Sequence, residues 1–439
     1  MRLLRFAYEH LGQSVVVECN PEPGPLLDGV VGNLGLTLLV GPNGSGKSTL
    51  VSNLVRLLHH VDRKHERIPS TSSVEYHLSK SDTAITVSHR AGEVSLAFDG
   101  HARTVRDSSR SRAEPRDDTL IDLLPNTICS VFSTRGEYPA QKAGNARGLR
   151  HTSLYDIAAL YGRHHYNIGS LSAGLSRLVS PGFEAARRAL ATLAGLHVGT
   201  DVKVFPTQRL TRQALASVPE FLWRSEQTWD FEQAEWSRLR QHLPWLATDW
   251  IPVDPEVLQA EADGLVYIND VVLTSANSRR FSLMTLSAGQ KMLLVRLLSI
   301  LSKVSDDSLV ILEEPELHLD PLWCGSLLEL LGAFFGRFRA HLVVTTQNLS
   351  VMRCFPAQTV IAMNDGRPSP LHQRTFLASE AVVADLVYRG QALSTLDELV
   401  LARLAGLGDL SNRESAVALL GEGPVRFLAR RAVADSGRS

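Results

Sequence analysis

Residues 34–49 read LGLTLLVGPNGSGKST, and the position of this stretch between two regular elements decides the fold. Leu34 to Val40 is a largely apolar run bounded by glycines, which reads as a buried strand. Downstream, Leu50, Val51, Leu54, Val55, Leu58 and Val61 recur at helical spacing. Between them, Gly41, Gly46, Lys47 and Ser48 satisfy the pattern G-x-x-x-x-G-K-[ST], and a strand before and a helix after are the context in which that pattern is a phosphate loop. The backbone along Gly41, Pro42, Asn43, Gly44, Ser45, Gly46, Lys47, Ser48 and Thr49 is expected to surround phosphate oxygens, with Lys47 as a point charge and Ser48 as a Mg²⁺ ligand.

A second stretch, SLVILEEPELHLDP (308–321), begins with an apolar strand and ends in paired carboxylates. A buried parallel strand that delivers acids at its C-terminal end beside a phosphate loop makes a nucleotide site. Glu313 is expected to orient Mg²⁺ and Glu314 to polarise an attacking water as general base. The alternative is an acid-rich helix N-terminus, which Pro315 and Glu316 would also suit.

The tetrapeptide LSAG occurs twice, at 171–174 and 286–289. Only the second continues as LSAGQK into an apolar helix, MLLVRLLSIL (292–301), which a short turn joins to the acidic strand. Ser287 can cap that helix, and Gly289 and Gln290 lie in its first turn, where an anion is favoured. The first copy, near Arg163, His164 and His165, is expected to mark a turn between helices.

The remainder of the 439 residues sets limits. With 44% hydrophobic and 21% charged residues the chain has the composition of a globular protein, expected to be cytoplasmic. Its 45 Lys plus Arg against 46 Asp plus Glu give no global pull toward nucleic acid or acidic lipid. The four cysteines form no CxxC pair, and no segment reaches the roughly 20 apolar residues of a membrane span. Segments 73–105 read as a small antiparallel β insertion, PNTICSVFST (125–134) as a core strand, and 152–260 as mainly helical. A locally basic loop carries Arg135, Lys142, Arg147 and Arg150, and Trp223, Trp229, Trp236, Trp245 and Trp250 cluster, either as base-stacking residues or as packing. TVIAMNDG (359–366) reads as the last core strand and its turn, followed by a proline-rich break, RPSP. The expected division is 1–61 and 271–368 as two parts of one α/β nucleotide-binding unit, 62–270 as a β and helical insertion, and 369–439 as a helical extension.

Phosphate loop, LSAGQ and EEPELHLDP, in this order, resemble the ATPase heads of the ABC superfamily, and EEPELHLDP looks most like the OLD-like prokaryotic ATPases, relatives of the RecF and SMC heads. The resemblance covers about residues 1–60 and 280–365. It implies an α/β P-loop fold, ATP and Mg²⁺ as cofactors, and a homodimer with nucleotide sandwiched between the loop of one subunit and Ser287 and Gly289 of the other. It further implies that His318, Leu319 and Asp320 form a D-loop, and that such heads control a nucleic acid, DNA or RNA, or a separate nuclease or toxin in phage defence. No membrane partner is implied. A scaffold that binds ATP without turnover is the alternative.

The chain departs from the pattern twice. No glutamine follows the strand near Ser133, leaving Ser133, Thr134 or Arg135 as candidates beside the γ-phosphate, and HLVVTTQN (341–348) ends in Gln347 where the family has a switch histidine. A glutamine amide donates a hydrogen bond but never carries charge. The loss is on the order of 1–2 kcal/mol, or about 5–30-fold in rate. Slow hydrolysis is therefore expected, with Glu314, Lys47 and Gln347 as the catalytic residues.

Overall fold

The computed structural model describes residues 1–106, 122–131, 138, 153–156, 168–206 and 250–436, apart from single positions and stretches of at most six residues inside these spans. Its strands are β1 (Arg2–His10), β2 (Gln13–Glu18), β3 (Gly35–Val40), β4 (Thr71–His77), β5 (Ile85–Arg90), β6 (Glu93–Phe98), β7 (His101–Arg106), β8 (Asn126–Val131), β9 (Ser153–Asp156), β10 (His197–Pro206), β11 (Ile251–Pro252), β12 (Val266–Thr274), β13 (Arg280–Ser282), β14 (Ser308–Glu313), β15 (His341–Thr346), β16 (Val360–Asn364) and β17 (Arg367–Pro370). The central sheet has the order β17-β16-β3-β15-β14-β8-β9 and is parallel except for β17. An antiparallel sheet, β2-β1-β4-β5-β6-β7, and a smaller one, β11-β10-β12-β13, complete the β structure.

Alternation along the central strands divides the core into two layers. Leu39, Cys129, Leu309, Ile311, Val343 and Ile361 face the phosphate-loop helix (Lys47–Arg63), whose Leu50, Val51, Leu54, Val55, Leu57 and Leu58 pack on them and on Phe6, Val74, Tyr76, Ile85, Val87 and Leu96 of the antiparallel sheet. Each of these buried apolar side chains contributes about 1.5–3 kcal/mol. Leu36, Leu38, Ile128, Val310, Leu312, Leu342, Val344 and Val360 face the other way, toward the helix Ala288–Leu301 and the helix Leu327–Phe335. A parallel sheet covered on both sides buries its strands on both faces, which is why β3, β14 and β15 are fully buried, with Leu309–Leu312 and Leu342–Val344 as apolar runs.

Three expectations change. The first LSAG lies inside a helix, Ile168–Val179, rather than at a turn. Its glycine serves close approach: a Cβ on Gly174 would stand 2.1 Å from the Leu298 carbonyl oxygen, so the missing side chain lets this helix lie against the helix Ala288–Leu301. RPSP is an edge strand, β17, paired with β16; proline is tolerated at an edge because no further strand needs its N–H. The segment 152–260 contains β9, β10 and β11 as well as helices, and β10 pairs antiparallel with β12. The helical character of the tail holds, with helices Glu380–Tyr388, Thr395–Gly406, Leu410–Ala418 and Pro424–Ser436. The last three share a small core of Leu404, Val417 and Ala429.

His341 joins the two sheets at the base of β15. It is fully buried; Leu3 N–H donates to its Nδ1 at 3.1 Å, so the proton sits on Nε2, which faces the Thr37 hydroxyl at 2.9 Å. Burial, with Arg2 and the N-terminal ammonium nearby, pushes its pKa down from 6.5 to about 3. A group depressed in the folded state takes up its proton more readily when unfolded, so this contribution to stability is complete above about pH 6.5 and is lost on acidification toward pH 3. Between pH 6.5 and 5 the loss is about 2 kcal/mol. His341→Asn is expected to lower stability at pH 7.5 yet flatten its decline toward pH 5, measured by denaturant melts at both values.

Candidate nucleotide site

Register alone brings three motifs to one edge. Thr346 pairs with Val40, Thr345 with Leu39, and Glu313 with Thr345. Gly41, Glu314 and Gln347 therefore leave three adjacent parallel strands within one residue of the same level. In open α/β sheets this C-terminal edge is where ligands bind.

The phosphate loop turns through Gly44 and Gly46, and Gly46, at φ +93°, occupies a backbone region that a side chain would strain. Leu50 N–H donates to Gly46 O at 2.9 Å, opening the helix beneath the loop, and Ser45 O accepts from Gly366 N–H at 3.1 Å, so the β16–β17 turn braces the loop. Lys47 Nζ donates to Gly41 O at 2.8 Å and Pro42 O at 3.0 Å. Burial lowers the Lys47 pKa, and Glu314, Glu316 and Glu313 oppose that shift, which places three carboxylates around its ammonium. Ser45 Oγ is buried with no hydrogen-bond partner among the described residues. An unsatisfied hydroxyl, a lysine, the Ser48 and Thr49 hydroxyls, a helix N-terminus and two neighbouring acids form a donor set that fits a magnesium-bound polyphosphate.

The acids sit on a strand and a turn, not on a helix N-terminus. β14 ends at the buried Glu313; Glu314 follows with φ +38°, and its N–H donates to Thr345 O at 2.9 Å. The next helix starts only at Pro321, capped by Asp320 through Trp323 N–H at 3.0 Å. A left-handed glutamate costs on the order of 1–3 kcal/mol and persists only where the surroundings impose it.

Arg296 imposes it. Set alone in an apolar helix, its guanidinium is buried and donates to Ser130 Oγ at 2.8 Å, Ser130 O at 2.9 Å and Glu313 O at 2.7 Å, with a longer contact to Glu314 O at 3.4 Å. Burial lowers its pKa to about 10 against the pull of Glu316, Glu313 and Glu314, so it remains cationic at neutral pH.

The second LSAGQ caps the same helix. Ser287 accepts from Gln290 N–H at 3.4 Å and Gln290 Oε1 returns the contact to Ser287 N–H, a capping box. The nine residues from Ser287 to Arg296 span about 13 Å of helix. Because Arg296 meets the end of β14, Ser287, Gly289 and Gln290 project beyond the sheet edge at which the phosphate loop begins.

Lys47, Glu313, Glu314 and Gln347 thus gather at one sheet edge, whereas Ser287 lies about 13 Å along the helix from Arg296. Sequence reasoning passed over Arg296, although a lone arginine in MLLVRLLSIL was a visible signal, and gave no role to Glu316 or Thr346. Ser133, Thr134, Arg135, the basic loop to Arg150, His318 and four of the five clustered tryptophans lie outside the described residues, as do Arg163, His164 and His165. Among the described residues no helix is long and apolar enough to cross a membrane.

This arrangement is an α/β fold whose central, mainly parallel sheet carries a phosphate-loop motif between β3 and the helix Lys47–Arg63, with a helical C-terminal region. Residues 221–353 match the family model described as "AAA domain, putative AbiEii toxin, Type IV TA system". Among solved structures the chain is similar to the SMC head domain from Thermotoga maritima, at 14% identity over 85% of this chain and 100% of that one, with a TM-score of 0.41. It is also similar to an Smc head domain with an extended coiled coil bound to the C-terminal domain of ScpA derived from Pyrococcus furiosus, at 12% identity over 84% and 95% of the two chains, with a TM-score of 0.37. No curated protein sequence matches.

Replacing Arg296 by Met is expected to destabilise the chain by about 3–5 kcal/mol, because the carbonyls of Ser130 and Glu313 are left buried without their donor. Arg296→Lys should recover only part of the loss, since one ammonium cannot span the same acceptors. Denaturant melts of the three proteins measure both.

Proposed function

We propose that the chain is a slow ATPase whose ATP-bound head dimer acts as a switch for a nucleic acid or a separate effector protein. The observation that carries this reading is the convergence of Gly41, Glu314 and Gln347 on one sheet edge beside Lys47. In this mechanism Asn43, Gly44, Ser45, Gly46, Ser48 and Thr49 hold the phosphates together with Lys47. Ser48 and Glu313 would hold Mg²⁺, which would neutralise phosphate charge when bound. Glu314 takes the proton of the attacking water, and Gln347 donates to the γ-phosphate without adding charge.

The projecting LSAGQ helix end supports a dimer. A group about 13 Å along the helix from Arg296, on the far side of the end of β14, is suited to reach the phosphates of a second subunit. Leu322, 72% exposed in the short helix after Asp320, adds apolar surface near the same rim. The matched family's description, a putative toxin of a toxin–antitoxin system, fits a chain that acts on or beside a separate effector, and phage defence is the setting proposed for it.

Steady-state ATP turnover of the full chain tests the mechanism. Glu314→Gln is expected to reduce kcat by about 100 to 10,000-fold, and Gln347→His to raise it by about 5–30-fold. A wild-type rate no higher than that of Glu314→Gln would replace the switch by an ATP-bound scaffold. No gain from the histidine would remove Gln347 from the γ-phosphate.

A further inference from the structure

Glu316 is the third acid of EEPE, and the mechanism above leaves it without a task. It is buried, 6% exposed, in the turn after β14. Its Oε1 accepts from the hydroxyl of Thr346, the last residue of β15, which is fully buried. Its Oε2 is buried with no hydrogen-bond partner among the described residues. A buried carboxylate half satisfied in this way is costly to the fold, so stability alone does not account for it.

The hydroxyl it holds has a second duty. Thr346 Oγ1 accepts from Asn348 N–H at 2.9 Å, and Asn348 Oδ1 in turn accepts from Ser350 N–H at 2.8 Å and Val351 N–H at 3.3 Å, capping the next short helix. The Thr346 proton is committed to the carboxylate, which leaves the oxygen lone pairs directed to Asn348. Gln347 is the single residue between these two pinned positions. Both ends of its peptide are therefore set by one chain of hydrogen bonds that begins at Glu316.

We infer that Glu316 is the positioning residue of the switch loop, acting through the Thr346 hydroxyl to aim the Gln347 side chain. A histidine could compensate for imperfect placement with its charge; a neutral amide depends on direction, because a hydrogen bond weakens steeply as its angle departs from linear. The role rests on the ATPase reading above. It assigns to the third acid of EEPE a function distinct from the proposed metal binding by Glu313 and proton transfer by Glu314.

The test is a set of turnover measurements on the full chain, with nucleotide binding and thermal melting recorded for each variant. Glu316→Ala and Thr346→Val are each expected to lower kcat by about tenfold with KM for ATP nearly unchanged, as loss of one orienting hydrogen bond allows. Glu316→Gln and Thr346→Ser keep the acceptor and the hydroxyl and should stay within about threefold of wild type. The double variant Glu316→Ala/Thr346→Val should be no slower than either single one, and in a Gln347→Ala background Glu316→Ala should have no further effect. The inference is overturned if Glu316→Ala still slows the Gln347→Ala protein, or if Glu316→Gln is as impaired as Glu316→Ala, since either result makes the charge act on the reaction directly. Wild-type turnover indistinguishable from Glu314→Gln would remove the ATPase reading together with this inference, whereas additive losses in an active enzyme would remove the inference alone.

Discussion

The guanidinium of Arg296 is the interaction on which the site depends. One planar group, buried beneath the sheet edge, ties the helix that begins at LSAGQ to the end of β8 through Ser130 and to the end of β14 through Glu313. Its bonds go mainly to backbone oxygens, so it fixes where chains run rather than where side chains point. Burying such a cation costs several kcal/mol in the absence of compensation. Here the compensation comes from carbonyls and from the charges of Glu316, Glu313 and Glu314, the last two of which it also anchors by the backbone. The positive φ of Glu314 is sustained by this anchoring and by the bond of its N–H to Thr345.

That bond links the acidic turn to β15, and β15 to the switch loop. Lys47 lies among the same three carboxylates while its ammonium is held by the loop's own carbonyls. Charge balance in the pocket is thus built from one lysine, one arginine and three acids, all near a single sheet edge. A polyphosphate entering this edge meets cations and amides from the loop and needs a metal to approach the acids, the electrostatic logic of a nucleotide site.

Gln347 changes the balance of such a site more than its position. A neutral donor weakens attraction for the γ-phosphate and makes its aim important, so the closed dimer of the proposed cycle would be long-lived. In that proposed cycle, Glu314 as general base paired with Gln347 as a weak trigger would keep the dimer mostly in the bound state. That property suits a device that signals by assembly rather than by flux.

Much was legible in the chain. GPNGSGKST between an apolar run and an amphipathic repeat, EEPE after another apolar run, and LSAGQK before a helix established the α/β P-loop fold, because each motif depends on local geometry that its own residues enforce. Sequence could not say which strands lie side by side. Register put Gly41, Glu314 and Gln347 within one residue of the same level, and pairing is set by long-range burial of two alternating faces rather than by any residue's neighbours in the chain. For the same reason the first LSAG read as a turn until a glycine was needed against Leu298, and RPSP read as a break until β16 offered it an edge. Arg296, Glu316 and Thr346 acquire meaning only from partners far along the chain: a buried polar group is costly alone and useful when satisfied, and only the tertiary structure decides which.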